Sequence, residues 1–155
     1  MSFRISGLPL APFAPLFSLS DRELAARQIV RRIADRRPGF PCRVSLQDAE
    51  PGESLLLLNY EHQPAGSPYR SSHAIYVRER AKEARPKVNE VPEVIRVRLL
   101  SVRAFDAAGM MIEADVAPGD EIAQVIERLL ADPSAAYLHL HNAKAGCFAA
   151  RVDRA

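Results

Sequence analysis

The chain has 155 residues, the size of one domain, and is long enough to bury a core without disulfide or metal support. Hydrophobic residues make up 48% and charged residues 26% of the sequence, which excludes an intrinsically disordered protein. The 21 basic and 19 acidic residues leave a formal charge of +2, so net charge favours neither nucleic acid nor an anionic membrane. We expect a single domain spanning residues 1–155.

Cysteine usage and the distribution of apolar residues predict the compartment. Cys42 and Cys147 are the only cysteines and lie far apart, unlike the cysteines of secreted disulfide scaffolds or zinc ribbons. No run approaches the ~18 apolar residues of a membrane helix, and early prolines interrupt any signal-peptide core. Basic and aromatic residues do not interleave as they do in nucleic-acid surfaces. We therefore expect a cytoplasmic protein with two free thiols and no membrane or nucleic-acid partner.

The N-terminal part predicts one short strand and one helix. Phe3–Ser6 alternates as a strand, and the prolines after it hold the backbone extended and exclude a helix there. Ser20 and Glu23 have the spacing of a capping box at the start of a helix. Apolar residues follow at helical spacing, so we expect a helix from about Asp21 to Arg36.

The middle of the chain predicts three strands. Cys42–Leu46 alternates weakly, and a turn separates it from the second strand, Leu55–His62. Four consecutive leucines indicate that this second strand is central and buried on both faces at its start. Gln63–Ser72 is a loop by its prolines and glycine, and His73–Arg78 is the next strand.

The C-terminal part predicts two hairpins and a helix. Val94–Phe105 is a long strand that pairs with Met110–Val116, and an amphipathic helix begins at Asp120. Tyr137–His141 and Cys147–Val152 form the last hairpin. The sequence therefore predicts an α+β domain: a mainly antiparallel sheet of about seven or eight strands, with two amphipathic helices packed on it.

Several short motifs resemble those of a known family. They are Gly39–Val44, Tyr60–His62, Ser67–Arg70, His139–Asn142 and Gly146–Phe148. Together they resemble an uncharacterised bacterial family catalogued only as a domain of unknown function, and the similarity extends over nearly the whole chain. The resemblance implies one self-contained domain and implies no activity.

The last hairpin gathers polar side chains on one face. If residues 142–146 form a five-residue loop, His141 lies opposite Cys147 and His139 lies opposite Ala149. Leu140 and Phe148 then belong to the opposite, apolar face. This register predicts a thiol beside an imidazole.

A metal site is one use of this arrangement. His139, His141 and Cys147 could bind a transition metal if Cys42 or His62 completed the ligand set. A His-x-His on a strand is more often a half-exposed face with hydrogen-bonded rings. We therefore predict no metal and no cofactor.

Thiol chemistry is the other use. Cys42, Cys147, His62 and His139 are the candidate catalytic residues, because an imidazole can generate or stabilise a nucleophilic thiolate. A free cysteine is more commonly a small buried apolar residue, so the sequence leaves open whether the protein is an enzyme.

Candidate ligand-binding residues surround the same motifs. The loop Ser67–His73 combines hydroxyls, a guanidinium and an imidazole, the groups that hold carboxylates or phosphates. The candidates are Arg43, Tyr60, Tyr69, Arg70, His73 and His141. No glycine-rich phosphate-binding motif accompanies them. The leading hypothesis is a cytosolic protein that binds a small anionic molecule; the alternative is a noncatalytic protein–protein interaction domain, which could form a homo-oligomer.

Overall fold

Eight strands and three short α-helices make up the fold, which the computed structural model describes over residues 1–155. The strands are β1 (Phe3–Ser6), β2 (Val30–Ile33), β3 (Ser54–Gln63), β4 (Ser71–Arg78), β5 (Leu99–Phe105), β6 (Met111–Pro118), β7 (Tyr137–Asn142) and β8 (Phe148–Arg154). The helices are α1 (Asp21–Ala26), α2 (Glu93–Arg96) and α3 (Ile122–Leu130). The α+β class is confirmed. None of the helices is long and apolar enough to cross a membrane.

The larger sheet contains five antiparallel strands in the order β1-β8-β7-β5-β6. Alternation along the strands places apolar residues on one face, for example Val102 of β5 opposite Leu140 of β7. Helix α3 covers this face with the stripe that its sequence predicts: Ile122, Ile126, Leu129 and Leu130 are all buried. The opposite face carries polar residues, including Arg103 paired with His139 and Ser101 paired with His141.

The smaller sheet contains three antiparallel strands in the order β2-β3-β4, with β3 central as predicted. Leu56 and Leu58 of β3 pair with Val77 and Ile75 of β4, and all four are buried. The N-terminal arm covers them with Phe13, which is also buried. The polar C-terminal end of β3 then faces the polar side of the larger sheet, which creates the junction between the two sheets.

The predicted helix from Asp21 to Arg36 is wrong beyond its first turns. Its capping box forms, with Glu23 N donating to Ser20 Oγ, but the helix ends at Ala26 and Gln28 adopts a φ of 59°. The following residues form β2, which is hydrogen-bonded to the edge of β3. The physical reason is that β-branched residues favour strands, and pairing satisfies the open backbone groups of β3.

Two predicted strands are also corrected. Cys42–Leu46 forms a turn, closed by Leu46 N donating to Cys42 O and with Leu46 at a φ of 51°. The segment Val94–Phe105 is a strand only from Leu99, because Glu93–Arg96 forms the single turn α2. Val94 and Ile95 are both buried, and two adjacent core residues fit a helical turn better than an alternating strand.

The proline-rich arm contains a helical turn that its sequence did not predict. Ala14–Ser18 forms a 3-10 helix with a proline near its start. Proline is compatible with this position because the first residues of a helix need no N–H donor.

Candidate functional site

An open groove of about 940 Å³ brings together parts of the chain that are distant in sequence. Its walls come from the segment before β3, the start of β4, the junction of α2 with β5, and the loop between β7 and β8. The lining residues are Arg36, Pro38, Gly39, Pro41, Arg43, Leu57, His73, Ala74, Tyr76, Val97, Arg98, Leu99, Asn142, Ala143, Lys144, Ala145 and Cys147. We call this site the cationic groove.

The charge of the cationic groove has one sign. Arg36, Arg43, Arg98 and Lys144 line it, and no aspartate or glutamate does. Arg36 and Lys144 are exposed, so their charges reach the solvent at the rim. Asp48, which does not line the groove, fixes the side chain of Arg98: Nη1 and Nη2 of Arg98 donate to the two carboxylate oxygens of Asp48 at 2.9 and 2.5 Å. A site lined in this way favours anions.

Arg43 forms the floor of the groove and is only 2% exposed. Its Nε donates to Phe148 O at 2.8 Å, its Nη1 to Pro41 O at 2.5 Å, and its Nη2 to Cys147 Sγ at 2.9 Å. No carboxylate pairs with it. Burial lowers the pKa of this guanidinium, and the neighbouring Cys147 opposes that effect. The floor is therefore a buried cation whose one side-chain hydrogen-bond partner is the sulfur of Cys147.

Cys147 immediately precedes β8 and follows Gly146, which has a φ of 81°. Its sulfur accepts hydrogen bonds from Arg43 Nη2 at 2.9 Å and from Asn142 Nδ2 at 3.4 Å. The Oδ1 atom of Asn142 is buried and has no hydrogen-bond partner. Thus two donors and one unsatisfied acceptor surround the thiol.

The predicted register of the last hairpin is wrong at the sulfur. Asn142, not His141, is opposite Cys147, and His141 pairs with Phe148 through a bulge at Ala149. His139 pairs with Arg151, not with Ala149. The bulge also moves Phe148 from the predicted apolar face to the histidine face. The partner of the thiol is therefore a guanidinium instead of an imidazole.

Three of the predicted histidines converge at a second place, the junction between the sheets. The ring centroid of His62 lies 4.9 Å from that of His141 and 6.1 Å from that of His139. Phe148 contacts all three rings, with its own ring stacked on His62. We call His62, His139 and His141 the histidine cluster. None of them lines the cationic groove.

The histidine cluster is uncharged near neutral pH. Burial, reinforced by the other histidines, lowers the pKa of His139 to about 3. Burial also lowers the pKa of His141 to about 4, against the opposing hydrogen bond of its Nδ1 to Gly146 O. Burial lowers the pKa of His62 as well. No group of three or more His, Cys, Asp or Glu side chains in the structure is arranged to hold a metal ion.

The remaining predicted site residues lie outside the cationic groove. Cys42 is buried in the smaller core, where its sulfur accepts from the backbone N–H groups of Ser45 and Arg78. Tyr60 packs between Phe13 and Phe148. Tyr69 and Arg70 lie on the exposed loop before β4; the ring of Tyr69 contacts Phe105, and Arg70 Nε donates to Glu61 at 3.0 Å.

Of the predicted residues, the structure brings Arg43, His73 and Cys147 to the groove. Sequence reasoning missed Arg36, Arg98, Lys144 and Asn142. Arginine is abundant throughout the chain, so no single arginine stood out. The position of Lys144 in the last hairpin loop, beside a candidate thiol, was the one signal that pointed to it.

Comparison with known proteins agrees with the resemblance predicted from the motifs. No curated protein and no solved structure shows significant similarity to the chain. Residues 39–154 match the model of a family described as a protein of unknown function, DUF1203. The match includes every residue of the cationic groove except Arg36 and Pro38. The chain therefore belongs to the DUF1203 family.

Proposed function

We propose that the protein binds a small anionic molecule in the cationic groove. The observation that supports this most directly is the lining of the groove, which contains four cationic side chains and no carboxylate. Guanidinium groups bind carboxylates and phosphates through paired N–H donors, and lysine adds a mobile point charge. The predicted groups Arg43 and His73 belong to this lining.

The groove also has the size and the walls of a small-molecule site. Its volume of about 940 Å³ falls within the range of roughly 300 to 1,000 Å³ that is usual for such sites. Leu57, Val97 and Leu99 supply apolar surface between the cations. A ligand with anionic ends and a short aliphatic body would match both parts of the lining.

The cations have different roles in this proposal. Lys144 and Arg36 are exposed and would attract the ligand from solvent. Arg98 is preorganised by its two hydrogen bonds to Asp48, so that binding needs little ordering of this side chain. Arg43 supplies positive charge at the floor, where screening by water is weak. The two buried, unpaired thiols suit the reducing environment of the cytoplasm, where we place the protein.

A thermal-shift titration tests the proposal. Inorganic phosphate and succinate should raise the melting temperature of the parent protein, and Lys144→Glu should reduce this effect strongly. Lys82→Glu, which changes the same charge at an exposed position outside the groove, is the matched control and should keep the full shift. Arg70→Ala tests separately, in the same titration, whether the loop Ser67–His73 binds the anion. Equal shifts for Lys144→Glu and Lys82→Glu would show that the groove does not bind the anion.

A second function, binding of another protein chain, is supported by one observation. The edge strand β6 presents Val116, which is 56% exposed, next to β5, where Leu99 is 51% exposed. Open strand edges with apolar side chains can pair with another copy of the chain. Light scattering over a concentration series tests this by measuring the molar mass in solution. If the protein forms a dimer through this edge, Val116→Lys should be monomeric at the concentrations where the parent protein is dimeric. A monomer at all concentrations would exclude self-association.

A further inference from the structure

The sulfur of Cys147 is arranged as an acceptor of hydrogen bonds. Arg43 Nη2 donates to it at 2.9 Å and Asn142 Nδ2 at 3.4 Å, and no acceptor for an S–H proton is among its partners. Two N–H donors, one of them cationic, can stabilise negative charge on this sulfur. The absence of any carboxylate on Arg43 leaves the sulfur as the nearest group that can balance its charge.

Asn142 supplies an independent sign of a ligand at the same place. This residue is 8% exposed, lines the cationic groove, and has a buried Oδ1 atom without a hydrogen-bond partner. An unsatisfied buried acceptor costs about 1 to 3 kcal/mol, so a bound molecule whose N–H donor reached this atom would gain affinity. The groove therefore favours an anion that also carries an amino or amide nitrogen.

The surroundings of the sulfur restrict the chemistry. Acyl transfer needs a general acid for the leaving group, but no imidazole is among the hydrogen-bond partners of the sulfur. His141 is bonded to Gly146 O and lies on the other face of the hairpin, and Nδ1 of His73, which lines the groove, is bonded to Ala74 O at 2.9 Å. Thiol–disulfide exchange needs no such acid, because the departing thiolate is already a stable leaving group. Disulfide exchange is therefore the reaction that these groups support without help from another residue.

On the basis of the proposed anion binding, we infer that Cys147 is a nucleophilic thiolate. It reacts with an anionic disulfide derived from an amino acid, bound in the cationic groove, and forms a mixed disulfide with one half of it. The thiolate attacks one sulfur of the bound disulfide, and a new bond forms between that sulfur and Sγ of Cys147. The original S–S bond breaks, its electron pair leaves on the second sulfur, and the released thiolate takes a proton from water. Cys147 is oxidised and the departing half is reduced.

Arg43 and the rim cations, Arg36 and Lys144, can also stabilise the product of this step. Once the thiolate is consumed, a carboxylate of the attached half can replace its charge beside Arg43. Cys42 is buried in the smaller core and does not line the groove, so no second thiol is placed there to displace the attached group. The mixed disulfide therefore persists until an external thiol removes it.

The test compares three disulfides of different charge on the native protein at low ionic strength. Intact-mass spectrometry follows the adduct formed by glutathione disulfide (anionic), 2-hydroxyethyl disulfide (neutral) and cystamine (cationic). One adduct should form on Cys147, and glutathione disulfide should react at least ~10-fold faster than cystamine, the lower end of electrostatic rate enhancements. Lys144→Glu should remove this preference, and Lys82→Glu should retain it. Cys42→Ser should still form the adduct, whereas Cys147→Ser should not.

Three negative outcomes are distinguishable. If phosphate or succinate stabilises Cys147→Ser as expected for the groove, but native Cys147 reacts more slowly than the cysteines of the unfolded chain, the thiolate inference is overturned and the proposed function is kept. Equal rates with all three disulfides, together with no thermal shift from either anion, overturn both. An adduct found on Cys42 instead of Cys147 also overturns the inference.

Discussion

The ring of His62, at the end of β3, is stacked on the ring of Phe148, at the start of β8, with centroids 5.4 Å apart and planes inclined by 11°. Phe148 is 2% exposed and also contacts His139 and His141. One aromatic side chain thus packs the end of the smaller sheet against the polar face of the larger one.

Phe148→Ala should lower the free energy of unfolding by about 3 to 5 kcal/mol, because it removes a fully buried ring and leaves a cavity between the sheets. Urea denaturation measures this loss. Tyr69→Ala, which removes a ring that is 38% exposed, is the control and should cost less than about 1 kcal/mol. Similar losses for the two variants would mean that Phe148 does not hold the sheets together.

The histidine cluster predicts loss of stability in acid. The pKa of His139 is about 3 and that of His141 about 4 in the folded state, against about 6.5 when unfolded. Below pH 6.5 the unfolded chain binds more protons than the folded one, so the free energy of unfolding falls as the pH falls from about 6.5 towards 3. The total loss amounts to several kcal/mol, since each unit of pKa difference corresponds to about 1.4 kcal/mol.

Urea denaturation between pH 8 and pH 4 measures this dependence. His139→Gln should flatten the curve, because an amide cannot take up a proton in this range, and adding His141→Gln should flatten it further. Stabilities at pH 8 serve as the baseline for each variant. An unchanged slope in the double variant would assign the acid sensitivity to other groups.

Gly119 allows two segments to touch at the end of β6. A Cβ atom there would lie 2.1 Å from Ile95 O and 2.5 Å from Arg96 O, both backbone atoms of α2. Gly119→Ala should therefore lower the melting temperature, at a cost of at least about 1 to 3 kcal/mol. Gly66→Ala is the matched control, because nothing lies within 4 Å of the added atom. Thermal unfolding of the two variants should separate them; equal melting temperatures would contradict the close approach.

The ion pair of Asp48 and Arg98 should contribute more to the free energy of unfolding than an exposed ion pair does. Asp48 is 5% exposed at its side chain and Arg98 is 17% exposed, so Asp48→Asn leaves a mostly buried guanidinium without an anion and should cost about 3 kcal/mol. Glu61→Gln breaks the exposed pair with Arg70 and should cost less than about 1 kcal/mol. Denaturant titration compares the two variants. Added phosphate should recover part of the loss only in Asp48→Asn, because only Arg98 lies in the groove.

The candidate site was predictable in part. Arg43 and Cys147 were expected to contribute, and the structure places them in contact, 104 positions apart in sequence. Their relationship was not predictable, because the expected partner of the thiol was His141 and a one-residue bulge places Asn142 opposite it instead. The histidines were expected beside the cysteines. Their packing against Phe148 instead follows from the arrangement of two sheets, which no local pattern specifies.

The sequence by itself determined the elements whose causes are local. The capping box at Ser20, the apolar stripe of α3, the four leucines of β3 and the turn before Cys147 all depend on neighbours within a few residues. Only the tertiary structure decided that Val30–Ile33 becomes a strand and that Arg43 reaches Cys147. The edge of β3 needs backbone partners and a buried guanidinium needs acceptors, and the fold alone sets which distant groups are close enough to serve.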